Sequence, residues 1–264
     1  MISVVIPLYN KESSIKTTID CVLKQTYKDF EIVVINDGST DDSVNVVGNI
    51  KDPRIKIISK DNGGVSSARN RGVREANYEW IALLDGDDRW HPKHLELLNE
   101  GKKQFPDYSV FSTIYSNNED LETNPEPVFE VVNDYFQMAI HKKILNSSTC
   151  LIRKDCFDNV GYFNERLRRG EDLEMWYRLA KKYPFVCSEA TTVWYRLGAE
   201  NRAMNKPSPY EASFASVINL KNADTEEELE YLKHQLKAKY KSILYNREWN
   251  NLMKCFKQHK LSFL

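Results

Sequence analysis

The sequence predicts an α/β fold in which helices flank a mainly parallel sheet. In the first hundred residues, short apolar runs typical of buried strands alternate with helical patterns, and polar clusters directly follow the runs. Such alternation implies parallel strands joined by right-handed crossovers. With 264 residues and 41% hydrophobic composition, the chain can form one large α/β domain with an appendage, or two small domains.

The strands and helices of this first part are predicted in order along the chain. The strands are ISVVIP, FEIVVIN, RIKIIS and WIALLD. The first helix is a pattern with Ile15, Ile19, Val22 and Leu23 on one face. Further helices follow the turn GSTDDS, run over Val65–Ala76 and start from Pro92, which suits a first helical turn. The clusters YNKE, NDGST and DGDD lie at carboxyl ends of strands, where ligands of such sheets bind. We therefore expect them to converge on one crevice.

After Phe105 the pattern is looser. SSTCLIR and VCSEATTVWYR predict strands, and Glu171–Lys182 predicts a helix. MNKPSP marks a boundary between a main domain, residues 1–206, and a helical extension, residues 207–264. The main domain divides into halves 1–105 and 106–206.

The extension is helical and basic from Thr225 onward. Packing on the main domain or pairing of two subunits is the commoner fate of such an amphipathic helix. Contact with an anionic membrane is the alternative. Its apolar stripe comprises Leu229, Leu232, Leu236, Tyr240, Ile243 and Leu244.

Bulk properties exclude several classes of function. The net charge of −1 provides no global field that would recruit nucleic acid. The amino terminus shows no basic leader, and no apolar stretch reaches the roughly 20 residues that span a bilayer. The five cysteines show no CxxC spacing, which disfavours a zinc site. A cytoplasmic protein is expected.

Three carboxylates, Asp85, Asp87 and Asp88, crowd into ALLDGDDRW. Their mutual repulsion is costly unless positive charge lies among them. Carboxylates at the end of a buried strand suit Mg²⁺ or Mn²⁺, which often share oxygen ligands with substrate phosphates. The alternative is that Asp87 or Asp88 caps the helix containing Pro92. Three acids at one strand end favour the metal.

Other polar residues near the strand ends are individually weaker signals. Asp37 can accept a hydrogen bond from a nucleobase N–H, although DGS is also a common turn. Arg69 and Arg71 follow NGG, and an arginine pointing into the crevice could face phosphate. Gly63-Gly64 lacks the Lys-Ser/Thr of a phosphate-binding loop.

Taken together, the motifs resemble the family 2 glycosyltransferases of the GT-A fold, a Rossmann-like α/β fold. The matching elements are SVVIPLYNKE, EIVVINDGSTDDS, NGGVSSARNRGV and WIALLDGDDRW, followed by SSTCLIRKDCFDNVGYFNERLRRGEDLEMWYRLA. They cover roughly residues 1–196. The resemblance implies that residues 1–105 bind the nucleotide, that 106–206 bind the acceptor, and that the product is a cell-surface polysaccharide.

The resemblance also implies roles for single residues. Asp85-Gly86-Asp87 matches the DxD motif, with Asp87 and Asp85 toward the metal, Asp85 also on the ribose side, and Asp88 as a helper. Asp37 matches the residue that reads the uracil edge of a UDP-sugar. The nucleotide-site residues implied are Pro7, Tyr9, Glu12, Asp37, Arg69, Asp85 and Gly86.

Glu171-Asp172 matches the ED motif of the family. An acceptor hydroxyl must lose a proton as it attacks the anomeric carbon, and a carboxylate can take it. Asp172 is the predicted base and Glu171 the second candidate; direct displacement would invert the anomeric centre. The alternative is that both acids simply stabilise a helix N-terminus. Trp176 and Trp194 are candidates for an acceptor platform or for the core.

One departure from the family pattern is the absence of a His after Tyr195-Arg196. Metal binding would then depend on Asp87 and the diphosphate.

The leading hypothesis is a metal-dependent, inverting hexosyltransferase with a UDP-sugar donor and a saccharide or lipid-linked acceptor. A catalytically silent nucleotide-sugar-binding or scaffold protein is the alternative. The extension would contact the inner face of the membrane peripherally, or would join two subunits in a homodimer. No GxGxxG follows the first strand, which disfavours a dinucleotide-binding oxidoreductase.

Overall fold

The structure is a computed structural model that describes residues 1–118, 121, 127–142, 144–198 and 208–260. The strands are β1 Ile2–Leu8, β2 Phe30–Asp37, β3 Ile55–Lys60, β4 Trp80–Leu83, β5 Arg89–Trp90, β6 Val110–Ser116, β7 Phe129–Val132, β8 Cys150–Arg153 and β9 Phe185–Trp194. The helices are α1 Ile15–Leu23, α2 Ser43–Gly48, α3 Val65–Glu75, α4 His94–Gln104, α5 Tyr135–His141, α6 Lys154–Val160, α7 Glu171–Ala180, α8 Phe214–Val217, α9 Glu226–Tyr245 and α10 Trp249–His259.

The strands of the described residues form one mixed sheet in the order β3-β2-β1-β4-β8-β6-β9-β5, with β7 paired to β9. The predicted parallel arrangement is confirmed for β1 to β4, whose pairings are all parallel. Beyond β4 the pairings are antiparallel except for β6 with β9. Neighbouring strands in this part of the sheet are not joined by a strand–helix–strand crossover, so they need not run parallel.

Helices cover both faces of the sheet, as the apolar runs require. Alternate residues of β1 serve opposite cores: Val5 packs in one cluster, and Val4 and Ile6 pack in the other. Every residue of β2 is buried. The helix predicted from Pro92 begins two residues later, at His94, with Lys93 as its N-cap.

The extension packs on the main domain. Leu232, Leu236 and Ile243 of α9 are buried in the same core cluster as Trp176 of α7. Thr225 caps α9 by accepting a hydrogen bond from the Glu228 amide. Most of the predicted stripe is therefore buried or partly buried within this chain, and membrane contact and dimerisation stay predictions. No helix in the described part of the chain has the length and apolar character needed to cross a bilayer.

Candidate active site

The predicted polar clusters do converge. A cleft of about 480 Å³ opens beyond the carboxyl ends of β1, β2 and β4, and its far wall comes from the start of α7. It brings together all but one of the residues predicted for the site, namely Pro7, Tyr9, Asp37, Arg69, Asp85, Gly86, Asp87, Glu171 and Asp172.

Glu12 is the residue that does not line this cleft. Its carboxylate accepts a hydrogen bond from the Asp42 amide at 2.9 Å, and its own amide donates to Asp41 Oδ2 at 3.1 Å. Glu12 therefore ties the loop after β1 to the positive end of α2. These contacts give Glu12 a structural role, and its assignment to the base and ribose site stays a prediction.

Arg69 joins the two halves of the cleft. Its side chain, 4% exposed, extends from α3 and places Nη2 2.8 Å from Asp85 Oδ1 and Nη1 3.2 Å from Glu171 Oε1. Burial opposes its charge, but the two carboxylates outweigh burial and raise the pKa of the guanidinium above its usual value. Arg69 is thus a fixed cation between the DxD loop and α7, a pairing that the sequence did not predict.

Asp87 has a cationic partner that sequence reasoning missed. Lys11 Nζ lies 2.6 Å from Asp87 Oδ2, and both side chains are largely buried. Lys11 was visible as the basic residue of YNKE, directly after β1. Its position at a strand end was the available signal, since residues there converge with those after β4.

Asp88 is almost fully buried, and its carboxylate accepts hydrogen bonds from the protein itself. Ser148 Oγ donates to its Oδ2 at 2.6 Å, and the Arg196 amide donates to its Oδ1 at 3.2 Å. Burial, together with repulsion from Asp85 and Asp87, raises the pKa of the Asp88 carboxyl well above its usual value. Because α4 starts at His94 with Lys93 as N-cap, neither Asp87 nor Asp88 caps it, and that alternative is wrong.

Asp37 forms the wall of the cleft at the end of β2. Its Oδ1 accepts from Lys60 Nζ at 2.7 Å and from the Gly63 amide at 2.9 Å, and its Oδ2 accepts from the Gly64 amide at 2.7 Å. Gly64 has φ 89°, a conformation that strongly favours glycine. The NGG loop is therefore fixed to Asp37, and the predicted contact with uracil stays a prediction.

Glu171 and Asp172 occupy the first turn of α7 after Gly170. Burial is the main cause that raises the pKa of both carboxyls; repulsion from Asp172 adds to it at Glu171, and Arg69 opposes it at both. A raised pKa makes a carboxylate a better proton acceptor near neutral pH. The helix-terminus alternative is also satisfied by this geometry, so the catalytic role stays a prediction.

The donor set of the cleft fits a hard divalent cation that is shared with a ligand. Asp85 and Asp87 offer carboxylate oxygens, the ligand type that Mg²⁺ and Mn²⁺ prefer. Within the described ranges, no three His, Cys, Asp or Glu side chains are grouped closely enough to hold a metal by themselves. Further ligands would have to come from diphosphate and water. Most of the His-free segment after Arg196 lies outside the described residues.

The two tryptophans predicted as acceptor-platform or core residues differ. Trp176 is fully buried in the core and does not line the cleft. Trp194 forms a cation–π contact with Arg89, whose guanidinium lies 3.7 Å from the centroid of the Trp194 ring. Arg71 pairs with Glu75 on the exposed face of α3, away from the cleft.

A family model and several known proteins match this chain. The family described as Glycosyl transferase family 2 matches residues 3–169. The Bacillus subtilis protein named uncharacterized glycosyltransferase EpsJ is 36% identical over 184 residues, which are 65% of this chain and 54% of EpsJ. The chondroitin synthase of Pasteurella multocida is 30% identical over 188 residues, 69% of this chain and 19% of the synthase.

The fold has a solved counterpart. The crystal structure of S. aureus TarS 1-349 in complex with UDP-GlcNAc superimposes with a TM-score of 0.72 at 22% identity, covering 88% of this chain and 70% of that one. The family match extends over more than half of the chain and includes the strand ends that build the cleft. The chain therefore belongs to glycosyltransferase family 2 and is a transferase of the GT-A fold.

Proposed function

We propose that this protein is an inverting glycosyltransferase that transfers a sugar from a UDP-linked donor to a saccharide or lipid-linked acceptor in polysaccharide synthesis. The observation that carries the proposal is that Asp37, Asp85, Asp87 and the Glu171-Asp172 pair line one cleft. UDP-GlcNAc bound to TarS supports a uridine donor, and the Pasteurella chondroitin synthase supports a polysaccharide product.

The donor would lie across the strand ends. Pro7, Tyr9, Asp37, Asp85 and Gly86 line the cleft. The first three would contact the uridine, and Asp85 and Gly86 would lie on the ribose side. Asp87 and Asp85 would hold Mn²⁺ or Mg²⁺ against the diphosphate. Such an ion neutralises charge on the leaving group. Lys11, already on Asp87, adds a fixed positive charge to this end of the cleft.

The acceptor would enter from the α7 side. Asp172 would remove the proton of the attacking hydroxyl, and its raised pKa favours uptake of that proton. Arg69 would hold Glu171 in place beside it. Attack from the side opposite the leaving diphosphate inverts the anomeric centre.

The test is a screen of nucleotides and nucleotide sugars with Mn²⁺ or Mg²⁺. Saturation at a hundred times the dissociation constant adds about 2.7 kcal/mol to the free energy of unfolding, which thermal unfolding detects easily. We expect UDP with Mn²⁺ to raise the melting temperature more than GDP or ADP does. Equal shifts for the three nucleotides would remove the uridine assignment. Release of UDP on addition of saccharide acceptors would then establish transfer.

A catalytically silent nucleotide-sugar-binding protein of the same fold is the second candidate. The absence of a His after Tyr195-Arg196 favours it. Binding of a UDP-sugar with no release of UDP, across saccharide and lipid-linked acceptors, would support this candidate over the enzyme. A cytoplasmic location and a homodimer stay predictions.

A further inference from the structure

The second helix of the extension presents an apolar stripe that the fold does not cover. Trp249, Met253 and Phe256 recur at helical spacing on α10 and are 64%, 66% and 46% exposed. Tyr245, at the end of α9 and four residues before Trp249 in the chain, is 88% exposed. Scattered exposed apolar residues are ordinary, but several large ones on one helix face mark a contact surface.

Basic residues accompany this stripe. Lys254, Lys257 and Lys260 are all exposed on or beside α10, and Lys254 Nζ lies 2.6 Å from Glu211 Oε1. Residues 241–260 contain five Lys or Arg and a single acidic residue, whereas the whole chain has a net charge of −1. We call this the α10 surface: Tyr245, Trp249, Met253 and Phe256, with Lys254, Lys257 and Lys260.

The opposite face of α10 is fixed to the domain. His259 Nε2 lies 2.8 Å from Tyr210 Oη, and Asn251 Oδ1 accepts from the Tyr210 amide at 3.1 Å. Pro209, directly before Tyr210, lines the candidate active site. The α10 surface is therefore held rigidly on a segment that continues into the cleft wall.

We infer that the α10 surface docks on an anionic lipid membrane. A helix with aromatic and Met side chains on one side and lysines next to them matches the interfacial mode, in which apolar residues enter the headgroup boundary and lysines meet anionic lipids. A second copy of this chain fits less well, because it would bring equally basic surfaces together. Docking there would place the cleft wall near the membrane.

The experiment is flotation of the 264-residue chain with vesicles, which needs no enzymatic activity. We expect binding to vesicles of phosphatidylglycerol and phosphatidylcholine, weakening with added salt, and little binding to phosphatidylcholine alone. The double variant Trp249→Ser, Phe256→Ser should lower the partition coefficient about tenfold or more. Its matched control is Val128→Ser, which replaces another exposed apolar residue, and should bind like the parent.

A second pair of variants isolates charge. Lys257→Gln, Lys260→Gln should weaken binding to the anionic vesicles by roughly tenfold or more, since each basic residue near such a surface contributes about 1 kcal/mol. Lys24→Gln, Lys103→Gln removes two exposed lysines elsewhere and should change nothing.

Three outcomes would overturn the inference: no binding of the folded parent to anionic vesicles at low salt, unchanged binding of the apolar double variant, or a dimer in solution that this variant dissociates. UDP-induced stabilisation of each variant serves as the folding control and reports on the proposed function separately. Loss of vesicle binding with retained UDP stabilisation supports the membrane surface specifically.

Discussion

Replacing Arg69 with Met is the sharpest test of how the candidate site is held together. The Arg69 side chain is 4% exposed and pairs with Asp85 at 2.8 Å and Glu171 at 3.2 Å. Met keeps much of the apolar stem but removes the charge. Asp85, Glu171 and Asp172 would then face one another without a cation between them.

The magnitude follows from burial. Removing one partner of a buried, hydrogen-bonded ion pair costs about 3–5 kcal/mol, because the remaining charge is left uncompensated. Among the remaining acids, Glu171 and Asp172 already have raised folded-state pKa values, which should rise further once Arg69 is gone. When the pKa of a carboxyl is higher in the folded state than in the unfolded state, the free energy of unfolding falls as pH rises from the unfolded-state pKa through the folded-state pKa. The loss in Arg69→Met should thus be larger at pH 8 than at pH 5.

The assay is urea unfolding of the parent and the variant at both pH values. Arg71→Met is the matched control on the same helix, because Arg71 forms an exposed pair with Glu75 and should cost less than about 1 kcal/mol at either pH. A loss in Arg69→Met that equals the Arg71→Met loss, or that does not depend on pH, would refute the electrostatic account of the site.

Three further predictions concern single residues. Asp87→Asn should abolish the Mn²⁺-dependent part of UDP binding in a calorimetric titration, since an amide is a poorer ligand for a hard cation; Asp88→Asn, from the same loop but tied to the core, should retain it. Asp172→Asn should keep UDP binding but lower the transfer rate roughly 10²–10⁴-fold. The rate of the parent should fall as pH is lowered through the raised pKa of Asp172, because the base is then protonated. Near-normal turnover of the variant would exclude Asp172 as the base. Burial holds the pKa of His94 at about 3, so the folded state keeps it neutral. Below pH 6.5 only the unfolded state takes up that proton, and stability should fall by up to about 1.4 kcal/mol per pH unit. The His94→Gln variant should show a shallower decline in urea unfolding between pH 6.5 and 5; an unchanged slope would contradict the assignment.

The convergence of the site could be predicted because it follows from local pattern and one topological rule. Asp37 and Asp85 each end a buried apolar run, and parallel neighbours bring such ends to one edge of the sheet. Glu171-Asp172 is different. Only the family resemblance predicted a functional role for this pair, since a local pattern of acids in a first helical turn is satisfied by the helix dipole alone.

The partners of these acids could not be predicted. The Lys11–Asp87 pair spans 76 residues of sequence, and the Ser148–Asp88 hydrogen bond spans 60. Such pairings depend on the register of the sheet and on side-chain direction, neither of which a single-chain pattern encodes. The same limit explains the extension: one amphipathic segment was expected, but the chain turns after Tyr245 and presents a different apolar face on α10.

The crowding of three carboxylates in the DGDD loop is therefore not in itself a sign of a metal. Asp85 is paired with Arg69, Asp87 with Lys11, and Asp88 is buried against Ser148 with a raised pKa. The chain itself thus offsets the repulsion that made the cluster costly. The case for a bound cation rests instead on the position of Asp85 and Asp87 in the cleft, on their carboxylate oxygens as metal ligands and on family membership. This is why the comparison of Asp87→Asn with Asp88→Asn is decisive. Both variants remove one acid from the same loop at the cleft, but the Asp87 side chain is 14% exposed whereas Asp88 is 1% exposed.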